Sequence, residues 1–263
     1  MLLGTAATGG FPRWNCACAL CTAARDGKIP ARTLECAAVT GNSRDWWLLN
    51  TSPDLRAQLA TTTALWPGPR PSLMRGVLLT DAEPDHLAGL GVLRASQGLK
   101  VYAAPPVLAA LTPARKALAR YAHWDWYDST PEEGFVLSGG LVVTAHPVTA
   151  APPGYLPARM GGDPWGTAYR IEDLATGGVL LYAPRLRAWS ADLDELVASA
   201  DGVVLDAAHA PAGPWDQSVR PGPRRILTRL EDPDPLLDPA STARARLAEA
   251  GVEVLPDGTE FTL

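Results

Sequence analysis

The sequence predicts an α/β fold with two mixed β-sheets and helices on their outer faces, rather than one parallel doubly wound sheet. Short apolar stretches with β character recur along the chain. The first ones follow one another closely, whereas the later ones alternate with helical patterns. The 263 residues are 47% hydrophobic, which is enough for a sizeable core. We expect one domain over residues 1–263.

The predicted strands are, in chain order, MLLGTAA, WWLLN, RGVLLT, LKVYAA, LVVTAHPV, TAYRIE, GGVLLYA, DGVVLDA, RRILTRL, VEVL and TEFTL. The predicted helices are SPDLRAQLATTTAL, DHLAGLGVLRAS, PVLAALTPARKALARY, ADLDELVASA and DPASTARARLAEAGV. Ser52 should cap the first of these helices, and the last should begin at Asp238-Pro239 and end at Gly251. The Pro- and Gly-rich segments 151–166 and 209–225 should form long loops, which are either walls or lids of a site or surface decoration.

The charge pattern limits the class of partner. The net charge is −5 and no basic cluster is present, which argues against binding to nucleic acid. The sequence contains no run of 18 apolar residues, the length needed to cross a membrane, and MLLGTAATGG lacks the positive start of a signal peptide. We therefore expect a cytoplasmic protein without nucleic-acid or membrane partners.

All four cysteines lie near the N-terminus. The stretch WNCACALC places Cys16, Cys18 and Cys21 on a loop after the first strand. Thiolates spaced so closely can face one point, and soft sulfur ligands favour tetrahedral zinc. A structural zinc ion takes four protein ligands; Cys36 has the right chemistry but also fits a buried strand position.

The stretch TDAEPDH follows an apolar strand and precedes a helical pattern. Asp81, Glu83 and Asp85 alternate, so they would share one face of an extended segment, and His86 follows directly. Carboxylates with one imidazole suit iron(II) or manganese. Equally, these residues can be acids at the N-terminus of a helix, with His86 incidental. The spacing does not decide between the two interpretations.

TDAEPDH followed by LAGL resembles the His-x-His-x-Asp-His motif of the metallo-β-lactamase fold, with Asp81 and Glu83 in place of the first two histidines. The chain contains only four histidines, too few for the usual two-zinc site. The segments GTAATGGFPRWNCACALC, ARTLECAAV, WWLLNTSPDLRAQL, VLLTDAEPDHLAGL, LLYAP and the tail from 232 onward resemble, in this order, the pyrroloquinoline quinone biosynthesis protein B family.

This resemblance implies a metallo-β-lactamase-like αββα sandwich, a structural zinc on the three clustered cysteines and a separate site near Asp85 and His86. In the family, that second site is thought to hold iron and to hydroxylate a tyrosine-derived ring of a cross-linked Glu–Tyr intermediate. The resemblance also places Asp232 as a fourth zinc ligand, a position for which it rivals Cys36 and is preferred.

The chain departs from the family at the second site. Arg229 stands where a metal-binding histidine is expected, and a guanidinium that stays protonated does not ligate a metal. Arg229 could form ion pairs with the carboxylates or bind a substrate carboxylate in a bidentate manner. His146 and His209 are the remaining histidines that could approach the site, whereas His123 lies in an aromatic stretch.

Three functions are compatible with these features. The leading one is oxidation or hydroxylation of an amino-acid- or peptide-derived aromatic substrate, using iron and O2. The second is a tailoring hydrolase or lyase that uses Asp85 and His86 as acid and base without a redox metal. The third is a zinc-stabilised binding or carrier protein that has lost the second metal. The sequence does not indicate an oligomeric state.

Overall fold

A computed structural model describes residues 1–68, 72–156, 164–208 and 222–263, and it contains two mixed β-sheets. The first sheet has the order β1-β2-β3-β4-β5-β6, and the second has the order β13-β12-β11-β10-β9-β8-β7. The strands of the first sheet are β1 Leu2–Gly4, β2 Cys36–Val39, β3 Trp46–Leu49, β4 Met74–Leu78, β5 Lys100–Ala103 and β6 Asp125–Asp128. Those of the second are β7 Phe135–Leu137, β8 Leu141–Val148, β9 Gly166–Asp173, β10 Val179–Ala183, β11 Gly202–Asp206, β12 Arg224–Thr228 and β13 Val252–Glu253.

Short helices connect the strands. The α-helices are α1 Ala19–Arg25, α2 Leu55–Thr61, α3 Pro84–Leu87, α4 Pro105–Ala110, α5 Thr112–Leu118, α6 Ala191–Ala198 and α7 Thr242–Glu249. Three 3-10 helices span Thr63–Leu65, Ala88–Ala95 and Pro235–Leu237. Among the described residues, no helix has the length and apolar character needed to cross a membrane.

The core consists of three apolar layers. The central layer lies between the sheets and joins residues of both, such as Trp47 and Tyr102 from the first sheet with Tyr169 and Ile226 from the second. The two outer layers pack the other face of each sheet against helices, including Val107 of α4 on one side and Leu193 of α6 on the other. The architecture is the predicted α/β/β/α sandwich.

Some local predictions are wrong. TEFTL at the C-terminus forms no strand, and the chain instead uses Asp125–Asp128 and Phe135–Leu137, which the sequence analysis did not assign. Ser52 does not cap α2, because its hydroxyl donates to the Gln58 side chain (2.9 Å) and the cap residue is Asp54. The last helix is capped by Ser241 rather than starting at Asp238.

Parallel pairing decides where polar residues meet. The strands β3, β4, β5 and β6 run parallel to one another, and so do β10, β11, β12 and β13. Residues that follow parallel strands collect at one edge of a sheet, which is where α/β folds place their sites. Asn50 and Arg229 follow β3 and β12 with φ of +64° and +58°, a backbone conformation that costs non-glycine residues energy and is concentrated at functional sites.

Candidate functional site

A buried chain of ionisable side chains lies at these strand ends. Asp81 lies three residues beyond the end of β4, and its Oδ2 is 2.7 Å from Nδ1 of His86. Nε2 of the same ring lies 3.5 Å from Oε2 of Glu35, which precedes β2. All three side chains are almost completely buried. Both ring nitrogens of His86 therefore face a carboxylate of the protein.

Glu35 is held by neutral hydrogen-bond donors from both sheets. The hydroxyl of Tyr182 in β10 donates to Oε1, and Nδ2 of Asn50 donates to Oε2 at 3.1 Å. Oδ1 of Asn50 accepts from the backbone N–H of Thr80 at 2.9 Å, so the positive φ of Asn50 places an amide between two strand ends. The network thereby joins the two sheets through buried polar groups, and each of these groups has a hydrogen-bond partner.

Arg185, two residues after β10, covers the acidic motif. Its Nη2 lies 2.5 Å from Oε1 of Glu83, and its Nη1 lies 3.4 Å from Oδ1 of Asp81. Asp81 additionally accepts from the Thr80 hydroxyl (2.9 Å) and the backbone N–H of Glu83 (2.8 Å). Arg229 was one candidate for pairing with these carboxylates; the ion pairs with Asp81 and Glu83 are made by Arg185.

Arg229 lies on the other side of the network. Its Nε is 4.0 Å from Oδ2 of Asp206 at the end of β11, and this buried nitrogen has no hydrogen-bond partner among the described residues. Burial raises the pKa of Glu35 and the neighbouring carboxylates raise that of His86, and the charge of Arg229 opposes both shifts. The two arginines thus flank the chain of Asp81, His86 and Glu35 from opposite ends.

Burial and charge act against each other in this network. Burial alone would raise the pKa of Asp81, but His86 and then Arg185 outweigh it, so that pKa lies well below its usual range. Burial alone would lower the pKa of His86, but Asp81 and Glu35 raise it overall. For Glu35, burial dominates and raises the pKa. The arrangement favours a charged Asp81–His86 pair next to a Glu35 carboxyl that takes up a proton readily.

The other residues predicted at this site are less engaged. Asp85 lies half-buried in the first turn of α3, and no described residue makes a hydrogen bond or ion pair with its side chain. His146 is in β8 beside Thr144 (3.1 Å), and His123 is exposed near Asp125 (3.6 Å). Neither belongs to the network. His209 lies outside the described residues.

The cysteine cluster forms a second, separate arrangement. The Sγ atoms of Cys16, Cys18 and Cys21 and a carboxylate oxygen of Asp232 all lie within 4.8 Å of one another. Within the described ranges, this is the one group of at least three His, Cys, Asp or Glu side chains with such spacing. All three cysteines are free thiols, and the Cys18 sulfur caps α1 by accepting from the backbone N–H of Cys21 (3.4 Å).

The electrostatics of the cluster suit a cation. The Asp232 carboxylate raises the pKa of Cys16 to about 12, because the protonated thiol can donate to it. Arg13, with Nε 3.2 Å from Oδ1 of Asp232, is the nearby compensating charge. Three thiol groups and a carboxylate at this spacing match the ligand set and number of a structural zinc site.

Cys36 is not part of the cluster, which corrects its assignment as a candidate ligand. It is fully buried in β2, packs in the core against the helix-covered face of the first sheet, and donates to the Asn50 carbonyl at 3.3 Å. Burial raises the pKa of its thiol strongly. A cysteine in an apolar strand behaves as a small hydrophobic residue.

The sequence analysis did not single out five members of the central network: Glu35, Asn50, Tyr182, Arg185 and Asp206. A signal was present for several of them, because Asn50, Arg185 and Asp206 are polar residues at or just after the carboxyl end of an apolar strand. Reading such positions together, rather than one motif at a time, would have found them.

Comparisons with known proteins agree with this architecture. Residues 45–222 match the family described as Beta-lactamase superfamily domain. The whole chain is 32% identical to coenzyme PQQ synthesis protein B of Pseudomonas fluorescens (strain Pf0-1), covering 99% of that protein. The crystal structure of zinc-bound PqqB from Methylobacterium extorquens superposes with a TM-score of 0.86, at 29% identity over 100% of this chain and 99% of that one. A diphosphatase of the PhnP family shares the fold, with a TM-score of 0.70 at 18% identity over 100% of this chain and 97% of that one.

Proposed function

The chain belongs to the coenzyme PQQ synthesis protein B family, within the β-lactamase superfamily, and we propose that it tailors a precursor of a pyrroloquinoline quinone-type cofactor or related natural product. The observation that carries this proposal is the similarity over the full chain, which covers both the cysteine cluster and the strand ends. The substrate is a small amino-acid- or peptide-derived aromatic compound, and the cytoplasm is the predicted compartment.

Cys16, Cys18, Cys21 and Asp232 would hold a structural zinc ion. The donor set fits: four side chains converge, three of them soft sulfur ligands, and no open position is needed for a substrate. Zinc in such a site supplies cross-linking between chain segments that are distant in sequence. Here it would tie the loop after β1 and helix α1 to the segment after β12.

Iron at the second site fits the side chains poorly. Asp81 and His86 bond to each other, Glu83 is paired with Arg185, and the second ring nitrogen of His86 faces Glu35. Of the predicted iron ligands, only Asp85 has an uncommitted side chain within the described ranges. This geometry supports the metal-independent acid–base alternative better than the iron- and O2-dependent hydroxylation.

In this alternative, Asp85 exchanges a proton with the substrate, because it is half-buried and its side chain makes no hydrogen bond or ion pair among the described residues. His86, the next residue along the chain, is fixed by its contact with Asp81. Arg229, whose Nε has no hydrogen-bond partner among the described residues, offers its guanidinium group to a carboxylate of an amino-acid-like substrate. The exposed ring of Tyr155, whose hydroxyl donates to the Ala82 carbonyl (2.8 Å), can contact its aromatic part.

Turnover of a peptide with a cross-linked Glu–Tyr pair, followed by mass spectrometry, tests the proposal. We expect the zinc-loaded protein to form a hydrolysis or lyase product with or without O2, and also after chelation of iron. The turnover rate should fall at least 10-fold in Asp85→Asn. Product that gains oxygen only with iron and O2 would instead establish the hydroxylase. Tight binding without turnover would establish a carrier. The absence of both binding and turnover would overturn the family-based assignment of the substrate.

A further inference from the structure

We infer that Arg185 and Arg229 have taken over the positive charge that metal ions supply at the strand ends of this fold, so that the central site works without a metal ion. The inference deepens the proposed function and concerns the same site. It rests on where the two guanidinium groups lie relative to the carboxylates, which the sequence motif alone did not reveal.

The first step concerns the acidic motif. A metal at TDAEPDH would need carboxylate oxygens that are free to turn towards it, but Arg185 lies within 3.4 Å of Asp81 and 2.5 Å of Glu83. The arginine side chain is mostly buried, so little water screens this contact. A guanidinium between two carboxylates occupies the same electrostatic position as a divalent cation would.

The second step concerns the opposite end of the network. Arg229 stands after β12, with Asp206 4.0 Å from its Nε and with Glu35 and His86 inside the range of its charge. Its φ of +58° is unfavourable for arginine, and the surrounding structure maintains it. A residue held in a strained conformation with a charged end among buried acids is positioned for its charge.

The third step is the charge balance. Glu35, Asp81, Glu83 and Asp206 are the acids of the network, Arg185 and Arg229 are its fixed cations, and His86 lies between Asp81 and Glu35. The hydroxyl of Tyr182 and the amide of Asn50 satisfy Glu35 without a charge. The buried charges are therefore paired by the protein itself, as buried carboxylates require, and an added cation would compete with two fixed ones.

Metal counting on the full chain tests the inference. Zinc-loaded wild type is titrated with Co(II), which reports binding by its visible absorption, and the bound metals are then counted by elemental analysis. We expect one zinc and no second ion in wild type, and a second ion bound at least 10-fold more tightly in Arg185→Ala/Arg229→His. Arg187→Ala, an exposed arginine two residues further along, is the control and should match wild type.

The readout is metal content, so it is independent of turnover and of whether the substrate is correct. Retention of one zinc and an unchanged near-UV circular dichroism spectrum show that each variant is folded. A second ion in wild type that is lost in His86→Ala would overturn the inference. So would a double variant that folds and still binds no second ion, since the arginines would then not be what excludes it.

Discussion

The cysteine cluster and the central site both gather side chains from distant parts of the chain, yet they balance their charges in opposite ways. The cluster brings three thiols and Asp232 together, and within the described ranges its one ion pair is that of Asp232 with Arg13. The central site brings four buried or half-buried carboxylates together and pairs them with two arginines and a histidine. The difference teaches that a set of potential ligands indicates a metal only when cationic side chains of the protein do not already pair with most of its members.

The largest effect is expected from removing the cluster. Cys16→Ser/Cys18→Ser should lose zinc and several kcal/mol of unfolding free energy, since structural zinc contributes roughly 10–16 kcal/mol of binding energy in small zinc-finger peptides. Elemental analysis and thermal unfolding measure both. Cys36→Ala should keep one zinc per chain, and equal zinc loss in this control would return Cys36 to the ligand set.

The next effect comes from the central pair. Asp81→Asn keeps the shape but leaves the buried His86 without its main counter-charge and Arg185 paired with Glu83 alone, which should cost about 3–5 kcal/mol. Urea unfolding of wild type and variant at several pH values measures the difference. Asp85→Asn, which has no ion pair within the described residues, should cost much less, and a similar loss in both would contradict the assigned network.

The pH dependence of that difference has a definite sign. The lowered pKa of Asp81 contributes stability above its ordinary value of 3.8, which is lost as the pH falls through the folded-state pKa. The raised pKa of His86 contributes stability below 6.5, which is lost as the pH rises through the folded-state pKa. The stabilising effect of Asp81 should therefore be greatest between pH 3.8 and pH 6.5 and should shrink at lower and at higher pH.

A smaller effect is expected at the edge of the cluster. Arg13 contacts Asp232. Removing a residue that orients a metal ligand typically lowers the metal affinity 10–100-fold. Arg13→Ala should weaken zinc binding towards the lower end of that range, because the arginine is partly exposed. Competition with a chromogenic chelator measures it, and Lys28→Ala, whose partner is Asp26, is the control. Unchanged affinity would mean that Asp232 is oriented without Arg13.

The smallest effect separates backbone strain from charge at Arg229. Arg229→Gly and Arg229→Ala both remove the guanidinium, but glycine adopts φ of +58° without strain. The glycine variant should therefore be more stable than the alanine variant by about 1 kcal/mol in chemical unfolding. Equal stability would show that the backbone relaxes at this position.

The sequence by itself determined the fold class, the family and the cysteine part of the cluster. Apolar periodicity is a local property, and Cys16, Cys18 and Cys21 are close enough along the chain to meet where the chain turns after the first strand. The family resemblance, confirmed by the comparisons, extends over the full chain. Strand boundaries were less certain, because a half-exposed strand such as Asp125–Asp128 has no clear apolar alternation.

Only the tertiary structure decided how the acidic motif is used. Asp81, Glu83 and His86 have the same spacing whether they hold a metal or an arginine, and Arg185 lies about a hundred residues further along the chain. Parallel pairing of β3 with β4, of β10 with β11 and of β11 with β12 brings Asn50 and Arg185 to the motif and Arg229 to the other end of the network. The charge of a site is a sum over everything that packing brings within a few ångströms, and no single segment of sequence contains that sum.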